Sequence, residues 1–172
     1  VNLPNQAFQN LKGKGFAAKG DEWGFAAPHF SNGAVYADLD NDGDMDWVVN
    51  NIDEPASIYR NTAREITGNS FLTIRLRDTS SNTFGIGAKV YVKDADGVQY
   101  RYLSPSRGFQ SAVSHALHFG LGKSDSVDVT VVWPDGELPV QKVGRIATNQ
   151  QLWISRKNGH SLETFSMDQE PT

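Results

Sequence analysis

The chain has 172 residues, 38% of them hydrophobic and 21% charged, with a net charge of −4 and a pI near 5.5. That is one ordinary domain or two small ones, long enough to hide roughly two-thirds of the unfolded surface. The acidic balance argues against nucleic acid and anionic membrane as partners, no apolar run approaches the roughly 18 residues of a bilayer span, and the lack of cysteine excludes disulfides, thiolate metal sites and cysteine nucleophiles.

Residues 1–33 are glycine-rich and weakly patterned, and "GDEWGFAAPHF" fits a turn of helix or an irregular strand equally well. Strand signals begin at 34–37 and 47–50, either side of an aspartate-rich loop, and "SIYRN" (57–61) follows a Glu54-Pro55 break. Three short segments with tight connections predict a meander. A polar stretch at 66–70 marks a boundary. Beyond it "FLTIRLR" (71–77) alternates strictly, with Leu72, Ile74 and Leu76 on one face and Phe71, Thr73, Arg75 and Arg77 on the other. "AKVYVK" (88–93) and "VQYRYL" (98–103) are joined by Asp94-Ala95-Asp96-Gly97, a hairpin signal. "ALHFGL" (116–121) comes next, then "VDVTVVW" (127–133) with a Pro134-Asp135-Gly136 turn, then "ELPVQKV" and "QLWIS". No segment sustains a helical period. The expected fold is all-β: a small β-sandwich or partial barrel over 67–156, preceded by a single propeller-blade-like meander over 1–66 and followed by a polar tail over 157–172.

The loop "ADLDNDGDMDWVV" (37–49) places aspartates at 38, 40, 42, 44 and 46, a concentration of like charge that needs a reason. A solvated acidic turn does not explain the apolar residues framing it, Val35 and Tyr36 before, Trp47, Val48 and Val49 after. An EF-hand would start at Asp38 with Gly43 at position 6, but position 12 is Val49 instead of a bidentate Glu, and the flanks read as strands. A shorter calcium loop between two strands accounts for every feature. In it Asp38, Asp40 and Asp42 give side-chain oxygens, Asp44 a backbone carbonyl, Asp46 closes the site, and Gly43 allows the sharp turn. Hard oxygen ligands in a flexible loop suit Ca2+ over Mg2+, and the absence of His or Cys argues against zinc and copper.

"FSNGAVYADLDNDGDMDWVV" resembles the FG-GAP/VCBS-type repeat, the calcium-loop blade of integrin-like β-propellers, over about residues 23–62. The resemblance implies that Asp38, Asp40, Asp42, Asp44 and Asp46 are its calcium positions. The remainder is similar to the ASPIC/UnbV domain of cartilage-acidic-protein-like chains. That likeness rests on "GIGAKV" (85–90), "SPSRGFQS" (104–111), "LHFGLG" (117–122), "VVWPDG" (131–136) and "TNQQLWI" (148–154). Such families carry several repeats, so the resemblance implies a slice of a larger extracellular or cell-envelope protein: a last blade plus the domain after it. Neighbouring blades of that parent chain are then its first partners. A glycan or protein ligand, as in adhesion, is the implied wider role.

Other candidate chemistry is weaker. His115 and His118 lie three apart on a strand and point to opposite faces. The serines at 104, 106, 111 and 114 have no nucleophile elbow around them. In "SPSRGFQS", Arg107, Phe109 and Gln110 form a candidate ligand-binding surface, weighed against a structured connection whose Arg and Gln cap backbone groups. Asp94 and Asp96 read first as hairpin residues, and Asp135 and Glu137 as turn residues. The expectation is a non-catalytic, calcium-binding structural and interaction module. The alternative, a glycan-active hydrolase or an accessory domain of one, needs a second carboxylate constellation inside a pocket.

Overall fold

A computed structural model describes residues 2–11, 13–108, 111–134 and 140–156. In chain order the elements are β1 (Leu3–Pro4), β2 (Phe8–Asn10), β3 (Phe16–Ala18), β4 (Pro28–His29), β5 (Ser31–Ala37), β6 (Asp46–Asn51), β7 (Ser57–Tyr59), α1 (Ala63–Thr67), β8 (Phe71–Arg77), β9 (Lys89–Lys93), β10 (Val98–Tyr102), β11 (Ala116–Gly120), β12 (Ser126–Val132), β13 (Val140–Ala147) and β14 (Gln150–Ser155). The Asp135-Gly136 part of the expected turn and the tail over 157–172 lie outside the described residues.

The second half is a β-sandwich. One sheet has the order β10-β9-β12-β13, the other β11-β8-β14. Alternation builds it: Leu72, Ile74 and Leu76 of β8 meet Val90 and Val92 of β9, Leu117 and Phe119 of β11, Val127, Val129 and Val131 of β12, and Leu152 and Ile154 of β14 in one buried cluster. Trp133, just past the end of β12, is buried in the same cluster, and its indole N–H is satisfied by Gln141 Oε1 at 2.9 Å. β13 bulges against Val129/Thr130, and Gly144 at φ +95° takes the backbone turn this needs. The open edges are tied by side chains instead of strands. Gln99 and Arg101 of β10 donate to the Gly120 and His118 carbonyls of β11, and Gln141 of β13 donates to the Ser155 carbonyl of β14. The sheets therefore face each other as a sandwich. β14 pairs with β8 in parallel, a contact across more than seventy residues that local pattern cannot announce.

The first half is built differently. β5, β6 and β7 form the expected antiparallel meander, with β5 starting three residues earlier than its sequence signal. The unpatterned stretch before it makes two small ribbons, β1 with β4 and β2 with β3. Among the described residues ahead of Phe71, Val49 is the only fully buried hydrophobic. Trp23 and Trp47 remain 47% and 45% exposed, and Leu3, Phe8, Phe16 and Ile58 are exposed as well. This meander has strands but almost no core of its own.

α1 joins the halves. It is one turn and a half of helix, too short to give a period in the sequence, and it ends on Gly68 in the left-handed region. Phe71, at the start of β8, lies under the aspartate loop: the Arg64 guanidinium stacks 4.8 Å above its ring, and His118 stacks beside it at 5.8 Å. Asn149, at φ +60°, accepts from Phe71 N (3.3 Å) and Arg64 Nη2 (3.2 Å) through Oδ1 and donates its own N–H to the Phe71 carbonyl at 2.6 Å. Lys123 donates to the carbonyls of Thr67 and Gly68.

His118 gives the sandwich a pH dependence. Its ring is largely buried, 3.1 Å from Thr73 Oγ1, and burial followed by the nearby Arg101 charge lowers its pKa below the ordinary imidazole value. Below about pH 6.5 the unfolded chain takes up a proton that the folded chain resists, so stability falls as pH drops through that range. Melting temperatures measured from pH 8 to 5.5 should decline for the wild type and decline less for His118→Gln. Parallel curves for the two proteins would rule His118 out as the source.

Candidate metal centre

The loop between β5 and β6 turns back on itself at two left-handed residues, Asn41 (φ +59°) and Gly43 (φ +90°). Asn tolerates that region and Gly prefers it. Gly43 is also needed for space. A Cβ there would sit 2.2 Å from Phe71 Cε1, so the loop can lie on the ring only because position 43 has no side chain.

The five aspartates divide into two groups. Asp38, Asp40 and Asp42 converge, each offering a carboxylate oxygen within 4.8 Å of the other two. Asp38 Oδ2 accepts from Gly43 N (3.1 Å), Asp40 Oδ1 from Asp42 N (3.4 Å) and Asp42 Oδ1 from Asp44 N (2.8 Å). Asp38 Oδ1 and Asp42 Oδ2 are buried atoms without a hydrogen bond. Arg60, from the end of β7, supplies the nearest positive charge, 2.8 Å from Asp40 Oδ2 and 3.5 Å from Asp42 Oδ2. Burial, then the charges of Asp42 and Asp40, raise the Asp38 carboxyl above its ordinary value despite the opposing Gly43 N–H. The hydrogen bond from Arg60 holds Asp40 below its own.

The side chains of Asp44 and Asp46 also have partners outside this trio. Asp44 Oδ2 accepts from Arg64 N at 2.6 Å, capping α1 in place of Thr62, which makes no side-chain cap. Asp46 is 2% exposed, and both its oxygens are taken: Oδ2 by Leu39 N at 3.0 Å, Oδ1 by Asn61 N at 2.8 Å. It binds the two ends of the loop to the chain after β7. Arg64 also donates to the Asp42 carbonyl, so α1, the loop and Phe71 form one bonded unit.

This arrangement can hold a hard cation. The donors are all oxygen, three carboxylates converge, and two of their buried oxygens lack hydrogen bonds. Arg60, Asn61, Arg64, Phe71 and Asn149 brace the loop from outside, and no local signal singled them out. Each meets the loop or its platform through pairings 15 or more residues apart.

The remaining candidates are placed as follows. Arg107 donates to the Tyr102 carbonyl at 3.2 Å, next to an isolated antiparallel bridge between Ser106 and Ala112. Phe109 and Gln110 lie outside the described residues. His115 stacks on Phe84 at 4.4 Å, away from His118. Asp94 Oδ1 accepts from the N–H groups of Asp96 and Gly97, as a hairpin residue does.

Fold and loop together define an all-β protein in two parts: an acidic-loop meander and a sandwich on which it rests. Residues 78–161 match the family described as ASPIC and UnbV, a span that takes in all five sandwich motifs quoted above. The chain is 32% identical over 127 residues to cartilage acidic protein 1 of Homo sapiens, an alignment covering 71% of this chain and 19% of that protein. It is 31% identical over 127 residues to the Mus musculus protein of the same name, and 29% identical over 143 residues to that of Xenopus tropicalis. The chain thus spans about a fifth of the length of the curated relatives it matches. Among the described residues no helix is long and apolar enough to cross a membrane.

Proposed function

We propose that this chain is a non-catalytic, calcium-binding structural and interaction module that works within a longer extracellular or cell-envelope protein. The observation that carries the calcium half is the convergence of Asp38, Asp40 and Asp42 with two buried oxygens lacking hydrogen bonds. Ca2+ there turns mutual repulsion into coordination, so that loop folding and binding are linked. The side chains of Asp44 and Asp46, which the FG-GAP/VCBS resemblance counts among the calcium positions, hold the loop in shape through their bonds to Arg64, Leu39 and Asn61. Because the loop rests on Phe71 and is bonded to α1 through Arg64, ordering it also stiffens the junction with the sandwich.

The interaction half rests on the coreless meander. Phe8, Trp23, Phe25 and Trp47 line a cleft of about 540 Å³ on its surface. Large apolar side chains left exposed over a meander with almost no core fit a contact surface, and a neighbouring blade of a longer chain is the occupant that a propeller-blade meander fits. The hydrolase alternative has no comparable support. Asp78 is committed to Arg156 and the Ser80 N–H, and Glu54 to His29.

Calorimetric titration of chelator-treated protein with calcium tests the reading. The wild type is expected to release or absorb heat and to gain about 2 kcal/mol of stability at roughly thirty times the dissociation constant. Extracellular calcium modules set that constant near 10⁻⁴–10⁻³ M. Asp38→Ala and Asp42→Ala are expected to lose the response. A wild type that shows neither heat nor a higher melting temperature overturns the proposal.

A further inference from the structure

On the outer face of the β11-β8-β14 sheet, Arg75 and Arg77 follow each other two residues apart on β8, about 7 Å along the strand. They face outward because Leu72, Ile74 and Leu76 face in. β14 runs parallel to β8 with Trp153 opposite Arg75. Both guanidiniums lie over that one indole, Arg75 at 5.7 Å and Arg77 at 5.1 Å from the ring centroid.

The two are unusual in this chain. Every other arginine donates to an oxygen of the fold: Arg60 and Arg156 to carboxylates, Arg64, Arg101 and Arg107 to carbonyls, Arg145 to a serine hydroxyl. Among the described residues, neither the Arg75 nor the Arg77 guanidinium has an ion-pair or hydrogen-bond partner. Contact with the indole restricts both side chains, and a guanidinium without an oxygen partner of its own offers the planar N–H fork that binds oxyanions in bidentate fashion. On a chain of net charge −4, Arg75 and Arg77 set two un-neutralised cations over one ring.

We infer that Arg75, Arg77 and Trp153 form an anion-recognition surface, and that its ligand is an acidic polysaccharide bearing sulfate or carboxylate groups. The outward neighbours on β14, Gln151 and Ser155, are half-buried and polar, suited to sugar hydroxyls. An acidic peptide would look for apolar anchor pockets, and this row supplies polar side chains instead. The inference goes beyond the proposed function and uses no residue of the aspartate loop or of the meander cleft.

The test uses the full chain in chelator, so that calcium plays no part, with short heparin fragments as the sulfated probe. Wild type should bind, and more weakly as salt rises. Arg75→Gln/Arg77→Gln should weaken binding about tenfold or more. Lys93→Gln/Lys142→Gln, which removes the same charge from the other sheet, should change it by less than about threefold. Arg77→Lys keeps the charge and loses the fork, so it should fall between these two and guards against misfolding of the double variant. Absence of wild-type binding overturns the inference. So do equal losses in the two double variants, which would mean diffuse charge attraction. Tighter binding of polyglutamate than of heparin fragments would assign the face to an acidic protein instead.

Discussion

Gly43→Ala is expected to destabilise the folded chain by about 3 kcal/mol, seen as a lower urea midpoint with an unchanged slope. Two costs combine. The backbone at φ +90° is one that L-residues adopt at about 1–2 kcal/mol. The added methyl would lie 2.2, 2.4 and 2.7 Å from three carbons of the Phe71 ring. Phe71 has little room to yield, being buried under the Arg64 guanidinium and stacked beside His118. Overpacking of this kind costs about 1–3 kcal/mol. A double-variant cycle separates the two contributions. In a Phe71→Leu background the smaller side chain relieves the clash, and Gly43→Ala should then cost only the backbone part, about 1–2 kcal/mol. An undiminished penalty in that background would show that the loop does not bear on the ring.

The same contact shows where the sequence is legible and where it is not. The sandwich strands were readable because alternation is a local signal: Leu72, Ile74 and Leu76 announce an inward face whatever they pack against. The meander was readable from its spacing, and the five aspartates from their own pattern. The rest depends on register between distant segments. Nothing near Arg64 says that it will lie over Phe71, and nothing near Asn149 says that it will serve both. The parallel pairing of β14 with β8, which sets Trp153 against Arg75, is equally silent in the local sequence. The ribbons β1–β4 and β2–β3 went unassigned because two- and three-residue strands are too short to alternate. The five aspartates share a spacing and differ in use, and only the three-dimensional partners of Asp44 and Asp46 reveal it.

That difference in use separates the loop's braces from its candidate ligands. Asp46→Ala is expected to cost about 3 kcal/mol even in chelator. It strands the N–H groups of Leu39 and Asn61 beside a side chain that is 2% exposed, and each buried donor left without an acceptor costs about 1–3 kcal/mol. Asp38→Asn should behave in the opposite way. Asp38 Oδ1 has no hydrogen bond to lose, while burial and the charges of Asp42 and Asp40 already favour its neutral form. An acid whose folded pKa is raised contributes stability at low pH that is lost as pH rises through the folded value. A permanently neutral amide at position 38 therefore removes a cost the wild type bears at pH 7. In chelator Asp38→Asn should match or exceed the wild-type urea midpoint, and added calcium should move it little. Asp46→Ala starts from a much lower midpoint, and calcium should raise it wherever enough folded chain remains. If Asp38→Asn loses as much stability in chelator as Asp46→Ala, all the aspartates are braces, and the division between ligands and scaffold fails.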